Sequence, residues 1–359
     1  MQLREVLTGA VVMAPMTKGS NLPYRRLCVE LGARITMSEM TVARRLKQRR
    51  KSEFALIRKF DGESCFGVQL AGTNPEEMGW AAALVEARGA DLVDLNCGCP
   101  IDHFTRKGLG ASLGRQPNRI RRIVEAMKKS VTRIPVTAKL RLGWNDEMRN
   151  VVDQARAAVD GGADALFVHG RTRNARYRFA ADWDAIGDVV AAVPVPVVGN
   201  GDILFPADVD RALKRSGCAG VMSARGVLIK PWLFREVADG YRELSAPDRL
   251  AIYRRYITLA REHWGEDDHG LERVRQFVRW HVDFWYRYVP RRADGSFPTL
   301  QVREHASQHA TELDAFLARG DAAAHDYLAD CLTFERAIDV TSTPGAAERE
   351  EPEFVDAEG

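Results

Sequence analysis

Cysteine is sparse in this chain, with six in 359 residues, and no C-x-x-C pair or histidine cluster has the spacing of zinc ligands. That count excludes a disulfide framework and points to a reducing compartment. Cys97 and Cys99 stand too close in sequence to pair easily. Long apolar runs are also missing, so no segment reads as a membrane span. The first residues, Met1 to Glu5, lack the apolar core of a signal peptide. These absences lead us to expect a cytoplasmic protein that avoids membranes and needs no stable protein partner. No G-x-G-x-x-G follows the first strand-like run, which leaves a Rossmann dinucleotide site unsupported. Neither sign of charge dominates: 52 basic side chains face 49 acidic ones, for a net charge of +3.

The distribution of that charge says more than its sum. Residues 41–59 carry eight basic side chains against Glu53 alone, and residues 115–133 carry seven against Glu125. Residues 273–303 hold seven arginines against Asp283 and Asp294. Three basic clusters in a nearly neutral chain suggest a polyanion footprint. Solvated helix faces are the plainer reading, above all for 115–133.

Short β-branched runs alternate with longer helical patterns. Strands are predicted at 11–16, 35–39, 66–70, 92–96, 136–140, 165–169, 195–199 and 219–223, with helices such as 75–88, 118–130, 148–160 and 206–215 between them. Gly or Pro marks the joins. Eight such units fit an α/β fold, a (β/α)8 TIM barrel. Polar residues recur at the C-terminal end of strand after strand, where barrels gather their chemistry: Thr17, Glu39, Gln69, Asn96, Lys139, His169, Asn200 and Arg225. Beyond Tyr241 the strand signal ends. Helices at 248–264, 270–289, 301–318 and 321–337 suggest an appended C-terminal helical bundle. The expected division is a catalytic barrel over 1–244, a helical domain over 245–340 and a disordered acidic tail over 341–359, the last with six acids and one arginine.

The segment Val93 to Pro100 concentrates the chemistry. An apolar strand stops at Asn96, Cys97, Gly98, Cys99 and Pro100, and a glycine-bearing loop, Lys107 to Ala111, follows. A thiol at a strand end beneath a mobile loop reads as a general acid, although cysteine is more often a buried structural residue. Asn200-Gly201-Asp202 after the seventh strand and Ala224-Arg225-Gly226 after the eighth sit where barrels commonly bind phosphate. Lys139 near the end of the fifth strand needs an anionic partner, and the N1–C2=O edge of a reduced flavin is one. His169 could reach the same ring or the phosphate, and Gln69 the amide edge of the flavin. Taken together these residues favour flavin mononucleotide, FMN.

At these residues the chain resembles the tRNA-dihydrouridine synthase family. The shared motifs are Ala14-Pro15-Met16, Gln69-Leu70, Leu95 to Pro100, Lys139-Leu140-Arg141, His169 to Thr172, Gly199 to Ile203 and Ala224-Arg225-Gly226. Phe66 to Gly72, Lys230 to Phe234, Glu262 to Gly265 and Arg287 to Pro290 are similar to the eukaryotic-type tRNA-dihydrouridine(47) synthases. Those usually carry zinc fingers ahead of the barrel, whereas this barrel starts at once. Leu109 also replaces a common loop glycine. The resemblance implies FMN, with NADPH or NADH as reductant, and tRNA as substrate. It implies Cys99 as the proton donor, with Ala14, Pro15, Met16, Gln69, Lys139, His169, Asn200, Gly201, Asp202, Ala224 and Arg225 at the flavin.

Hydride delivered to C6 of uracil leaves charge at C5 and O4, so C5 must be protonated. A thiol with an ordinary pKa of about 8.5 is protonated at neutral pH and can supply that proton. Asn96, Arg141 and Arg171 at the mouth, with Arg273, Arg275 and Arg279 in the helical segment, are the expected tRNA contacts. The aromatics interleaved with those arginines are expected mostly in the bundle core. Two other readings remain: a flavin barrel acting on a free small molecule, and an RNA-binding factor without chemistry. No metal site is expected.

Overall fold

The computed structural model describes residues 3–301 and 309–341. Its centre is a parallel sheet of nine strands: β1 (Val11–Met13), β2 (Ile35–Met37), β3 (Thr41–Val42), β4 (Cys65–Ala71), β5 (Leu92–Asn96), β6 (Val136–Arg141), β7 (Ala165–His169), β8 (Val197–Asn200) and β9 (Gly220–Ser223). The order runs β2-β1-β9-β8-β7-β6-β5-β4, and β2 also pairs with β4, which closes the sheet on itself. Thr41 and Val42 pair with Leu70 and Ala71, farther along the same edge of β4 that Ile35 to Met37 use for Cys65 to Gly67. β2 and β3 are therefore two pieces of one barrel strand, broken at Ser38–Met40. The break has a cause: the backbone N–H of Gln69 donates to Ser38 Oγ at 3.0 Å, so a side chain fills the ladder. The result is a (β/α)8 TIM barrel.

All strand residues except Val42 are buried, which a barrel filled inside and covered outside by helices requires. Helices such as Pro75–Ala87, Pro117–Ser130, Val151–Asp160 and Pro206–Ser216 form the outer layer. The third begins at Val151 rather than Met148, because Asp146–Met148 close a 3-10 turn in which Asn145 caps the Met148 N–H. On Pro117–Ser130, Glu125 pairs with Lys129 at 2.7 Å, and Lys128 pairs with Asp164 at 2.6 Å. This part of the 115–133 cluster is a solvated outer face.

After the barrel come helices Ala246–Trp264, Asp268–Trp285, Glu312–Leu317 and Ala322–Thr333. Ser245 and Asp248 cap the first reciprocally. The aromatics of the second face inward: Phe277, Trp285 and the following Tyr288 are buried, and Trp285 stacks on Tyr253 at 3.7 Å. Tyr24 of the barrel helix Leu22–Glu30 packs against Tyr256, Phe277 and His281, so the helices seat on the barrel through one aromatic cluster. Of the helix predicted at 301–318, Glu312–Leu317 is helical, whereas residues 309–311 before it are described and are not. The rest of it in 302–308, Arg303 included, and the expected acidic tail beyond Thr341 lie outside the described residues.

Candidate active site

Register sets the site. β5 and β6 align Asp94 with Thr137 and Asn96 with Lys139, β4 and β5 align Gln69 with Asp94, and β7 and β8 align His169 with Asn200. Side chains two apart on a strand share a face. Asp94 with Asn96, and Thr137 with Lys139 and Arg141, therefore climb one face toward the C-terminal mouth.

The turn after β5 is built by its own polar groups. Asn96 Oδ1 accepts from the backbone N–H of Gly98 at 3.1 Å and of Cys99 at 2.9 Å. Arg141 Nε donates to the Gly98 carbonyl at 2.6 Å. The Cys97 N–H still donates to Lys139 O, at 2.8 Å, and continues the ladder. Cys97 thereby joins the core, where burial and then the neighbouring Asp94 push its thiol well above the usual range. Cys99 instead lines a cavity at the mouth with Pro15, Thr17, Met40, Gln69, Asn96 and Lys139. Ala111 N–H donates to Cys99 O at 2.9 Å and folds the following loop back onto the turn.

Behind that cavity runs a chain of hydrogen bonds. Thr137 Oγ1 donates to Asp94 Oδ1 at 2.7 Å, Gln69 Nε2 donates to Asp94 Oδ2 at 2.8 Å, and Asn96 Nδ2 donates to Gln69 Oε1 at 2.6 Å. Sequence reasoning passed over Asp94. Its signal was present: a charged residue amid the apolar side chains of a buried strand.

A second cavity opens across β7 to β9, lined among others by His169, Arg171, Tyr177, Asn200, Gly201 and Arg225. Arg171 Nη1 lies 3.2 Å from His169 Nε2, and a guanidinium can only donate, so Nε2 is the acceptor. Burial and then the charges of Arg141 and Lys139 hold the imidazole well below its ordinary pKa, hence neutral. The proton sits on Nδ1, which is buried without a hydrogen-bond partner among the described residues. Asp202 pairs with Arg171 at 2.6 Å and with Arg225 at 3.3 Å, so its carboxylate holds arginines in place. The Arg225 guanidinium stands 3.9 Å over the Tyr177 ring, and burial lowers its pKa to about 10. Tyr177 carried no motif and was missed.

The orphaned His169 Nδ1–H, the amides of Gln69 and Asn96, buried Lys139 and the paired arginines make a donor-rich lining across two neighbouring cavities. That chemistry fits a flavin ring at the first and its phosphate at the second. Pro15 lines the first cavity, whereas Ala14 and Met16 sit in the core beneath it. Ala224 borders the second cavity, and Asn200 Nδ2 donates to Met222 O at 2.9 Å. The missing Cβ of Gly201 faces Ala181 Cβ at 2.4 Å, so this glycine also serves packing.

The arginines expected at the substrate divide differently. Arg141 is 1% exposed and spends its fork on the carbonyls of Gly98 and Thr172. Arg171 is 2% exposed and holds Phe179 O, Asp202 and Gln301 at the second cavity. Both guanidinium groups are thus buried, Arg141 against backbone and Arg171 against a backbone carbonyl, a carboxylate and an amide. Arg275 and Arg279 pair with Asp330 and Asp326 of Ala322–Thr333, because they leave the opposite side of their helix from Arg273. Arg273 alone of the three lines a cleft of about 280 Å³ with Lys18, Asn21, Glu39 and Trp264.

Residues 12–316 match the family described as dihydrouridine synthase (Dus). A tRNA-dihydrouridine(47) synthase [NAD(P)(+)] of Cryptococcus neoformans var. neoformans is 38% identical over 328 residues, covering 86% of this chain and 45% of that protein. A tRNA-dihydrouridine(47) synthase [NAD(P)(+)]-like protein of Homo sapiens is 39% identical over 287 residues, covering 79% and 44%. The chain thus spans about half the length of the curated relatives it matches. Among solved structures, 2-naphthoyl-CoA reductase aligns with a TM-score of 0.51 at 13% identity, covering 65% of this chain and 49% of that one, a likeness of fold alone. With its motifs gathered at one barrel mouth and most of its length matched, the chain belongs to the dihydrouridine synthase family.

Proposed function

We propose that this protein reduces a uridine of tRNA to 5,6-dihydrouridine, using FMN and NADPH or NADH. The observation that carries the reading is the single cavity in which Cys99 stands with Gln69, Asn96 and Lys139. FMN, when bound, supplies the hydride that adds to C6 of the uracil. Cys99 gives its proton to C5. Gln69, Lys139 and the Pro15 turn border the ring, and Lys139 offsets negative charge there. His169, Asn200, Gly201, Ala224 and Arg225 hold the phosphate end, while Arg171 and Asp202 fix the arginine geometry. Asn96 holds the Cys99 turn through Oδ1 and turns its amide toward the base. The target nucleotide must leave its stack to reach a cavity this deep in the mouth.

The barrel, residues 1–244, carries the chemistry in this reading, and residues 245–340 add RNA contacts through Arg273. No helix among the described residues is long and apolar enough to cross a membrane. The site of action we infer is the cytoplasm, with no stable protein partner. The curated relatives are named for position 47, and that uridine is the first to examine. The test is to map dihydrouridine in tRNA from cells with and without the gene, and to record the absorbance of the purified protein. Loss of one dihydrouridine and a yellow protein are expected. Unchanged tRNA and a colourless protein that takes up no added FMN would overturn the reading.

A further inference from the structure

Asp94 is charged, completely enclosed in the barrel and unused in the chemistry above. Its hydrogen bonds nevertheless dictate the orientation of every amide on the cavity wall. An ionised carboxylate only accepts. Gln69 must therefore turn its NH2 toward Asp94, which leaves Oε1 for Asn96. From the other end, the backbone N–H groups of Gly98 and Cys99 occupy Asn96 Oδ1, so Asn96 must offer its NH2 to Gln69. The two constraints agree, and the chain has one polarity from Asp94 to Cys99. Each amide nitrogen carries a second hydrogen, and both side chains line the cavity that holds Cys99 and Lys139. The side of the wall formed by Gln69, Asn96 and Lys139 offers N–H donors.

We infer that Asp94 is a positioning residue that fixes this polarity, so that the wall beside Cys99 selects the carbonyl edge of a pyrimidinedione. That edge is shared by the pyrimidine ring of flavin and by uracil. Cytosine, with an amino group in place of the 4-carbonyl, presents a donor to donors and is rejected. The inference rests on the flavin and uracil reading above. Once Asp94 gains a proton it no longer requires the Gln69 NH2, and Asn96 alone is left to hold the orientation of the amide. Burial pushes the Asp94 carboxyl up to about 6, against the hydrogen bonds from Gln69 and Thr137 and the charge of Lys139. Gln69 on β4, Thr137 and Lys139 on β6 and Cys97 beyond the strand end are the groups that face it.

The experiment uses apoprotein titrated with FMN, followed by flavin fluorescence, for wild type, Thr137→Val and the double variant Asp94→Asn with Thr137→Val. Asp94→Asn alone is partly compensated, because the Thr137 hydroxyl can rotate and accept from the new amide. In the double variant that acceptor is gone, so the amide introduced at position 94 satisfies its NH2 only by turning it to Gln69, which sets this end of the chain against the Asn96 end and loosens the glutamine between them. Near neutral pH, Thr137→Val is expected within about threefold of wild type, and the double variant about tenfold or more weaker. The FMN phosphate also titrates near pH 6, so the reading is a difference: wild-type affinity should fall more steeply below about pH 6 than that of the double variant. A second arm follows single-turnover oxidation of the reduced, FMN-loaded protein by an unmodified tRNA transcript. A loss confined to this arm places the selected edge on uracil, and a loss in FMN affinity places it on the flavin. A folded double variant that matches wild type in both arms overturns the inference. So does wild-type FMN affinity that stays flat through pH 6, which decides the matter even if the double variant fails to fold. Wild-type protein that binds no FMN overturns the flavin reading itself, and this inference with it.

Discussion

Gly110 packs so closely on Cys99 that a Cβ at position 110 would lie 2.5 Å from the Cys99 carbonyl oxygen and 2.9 Å from its Cβ. The backbone there also has φ +61°, a conformation that costs a side-chain-bearing residue energy. The loop that follows the Cys99 turn is therefore seated on it by a glycine that no other residue replaces.

Gly110→Ala should displace the loop or the thiol. The expected result is a loss of stability of about 1–3 kcal/mol in chemical denaturation, with product formation reduced beyond that. Leu109→Gly should be far milder in activity, because Leu109 enters the turn with extended φ −88°. Equal behaviour of the two variants would remove Gly110 from the support of Cys99.

The two cysteines of the turn separate the proposed proton donor from the core. Cys99→Ala should still bind FMN and tRNA and still accept hydride from nicotinamide. Dihydrouridine formation in a single turnover should fall about 10²–10⁴-fold. Cys97→Ala should leave that step nearly intact and lower stability instead, since the side chain is 1% exposed against the β5 core. A deeper catalytic loss in Cys97→Ala would reverse the assignment.

Much of this was legible in the sequence, for physical reasons. Strands closed by a barrel are buried on both faces, so they read as short apolar runs, and seven of the eight barrel strands agree with their predicted ranges to within three residues at either end. The break at Ser38–Met40 was not legible, because a single hydroxyl accepting from Gln69 decides it, and periodicity does not register that bond. Motif spacing placed Gln69, Asn96, Cys99 and Lys139 in one cavity. It gave no sign of how deeply Arg141 and Arg171 are buried, because an arginine at or just past a strand end does not reveal which carbonyls its fork will find. Asp94 was passed over for the converse reason: its partners lie on neighbouring strands, and only the register between β4, β5 and β6 brings them together.

The arginines of Asp268–Trp285 make a prediction by contrast. Arg273 faces the cleft beside Lys18 and Trp264, whereas Arg275 is tied to Asp330. Arg273→Ala should weaken tRNA binding and reduce the slope of log affinity against log salt by about one. Arg275→Ala should leave both unchanged and cost about 0–1 kcal/mol of stability, as expected for a partly exposed pair. Identical salt slopes for the two variants would remove the cleft from the RNA path.

Asp94 also carries a stability signature. Its pKa rises from the ordinary 3.8 to about 6 on folding, so between those values the folded chain holds a proton that the unfolded chain has released. Stability from this group is full below the lower value, falls as pH rises through the window and is flat above about 6. The accumulated cost near neutral pH is on the order of 2–3 kcal/mol. Asp94→Asn keeps the shape and removes the buried charge, and the Thr137 hydroxyl can rotate to accept from it. The variant should therefore be more stable than wild type near neutral pH by up to that amount, and the difference should vanish as pH falls toward 3.8. Urea denaturation of both proteins across this range measures it, and taking the difference cancels the other titrating groups. A stability difference that does not change with pH would mean that Asp94 titrates alike in the folded and unfolded chain. A variant that gains stability and loses affinity for FMN would show that the charge is kept for the order it imposes on Gln69 and Asn96.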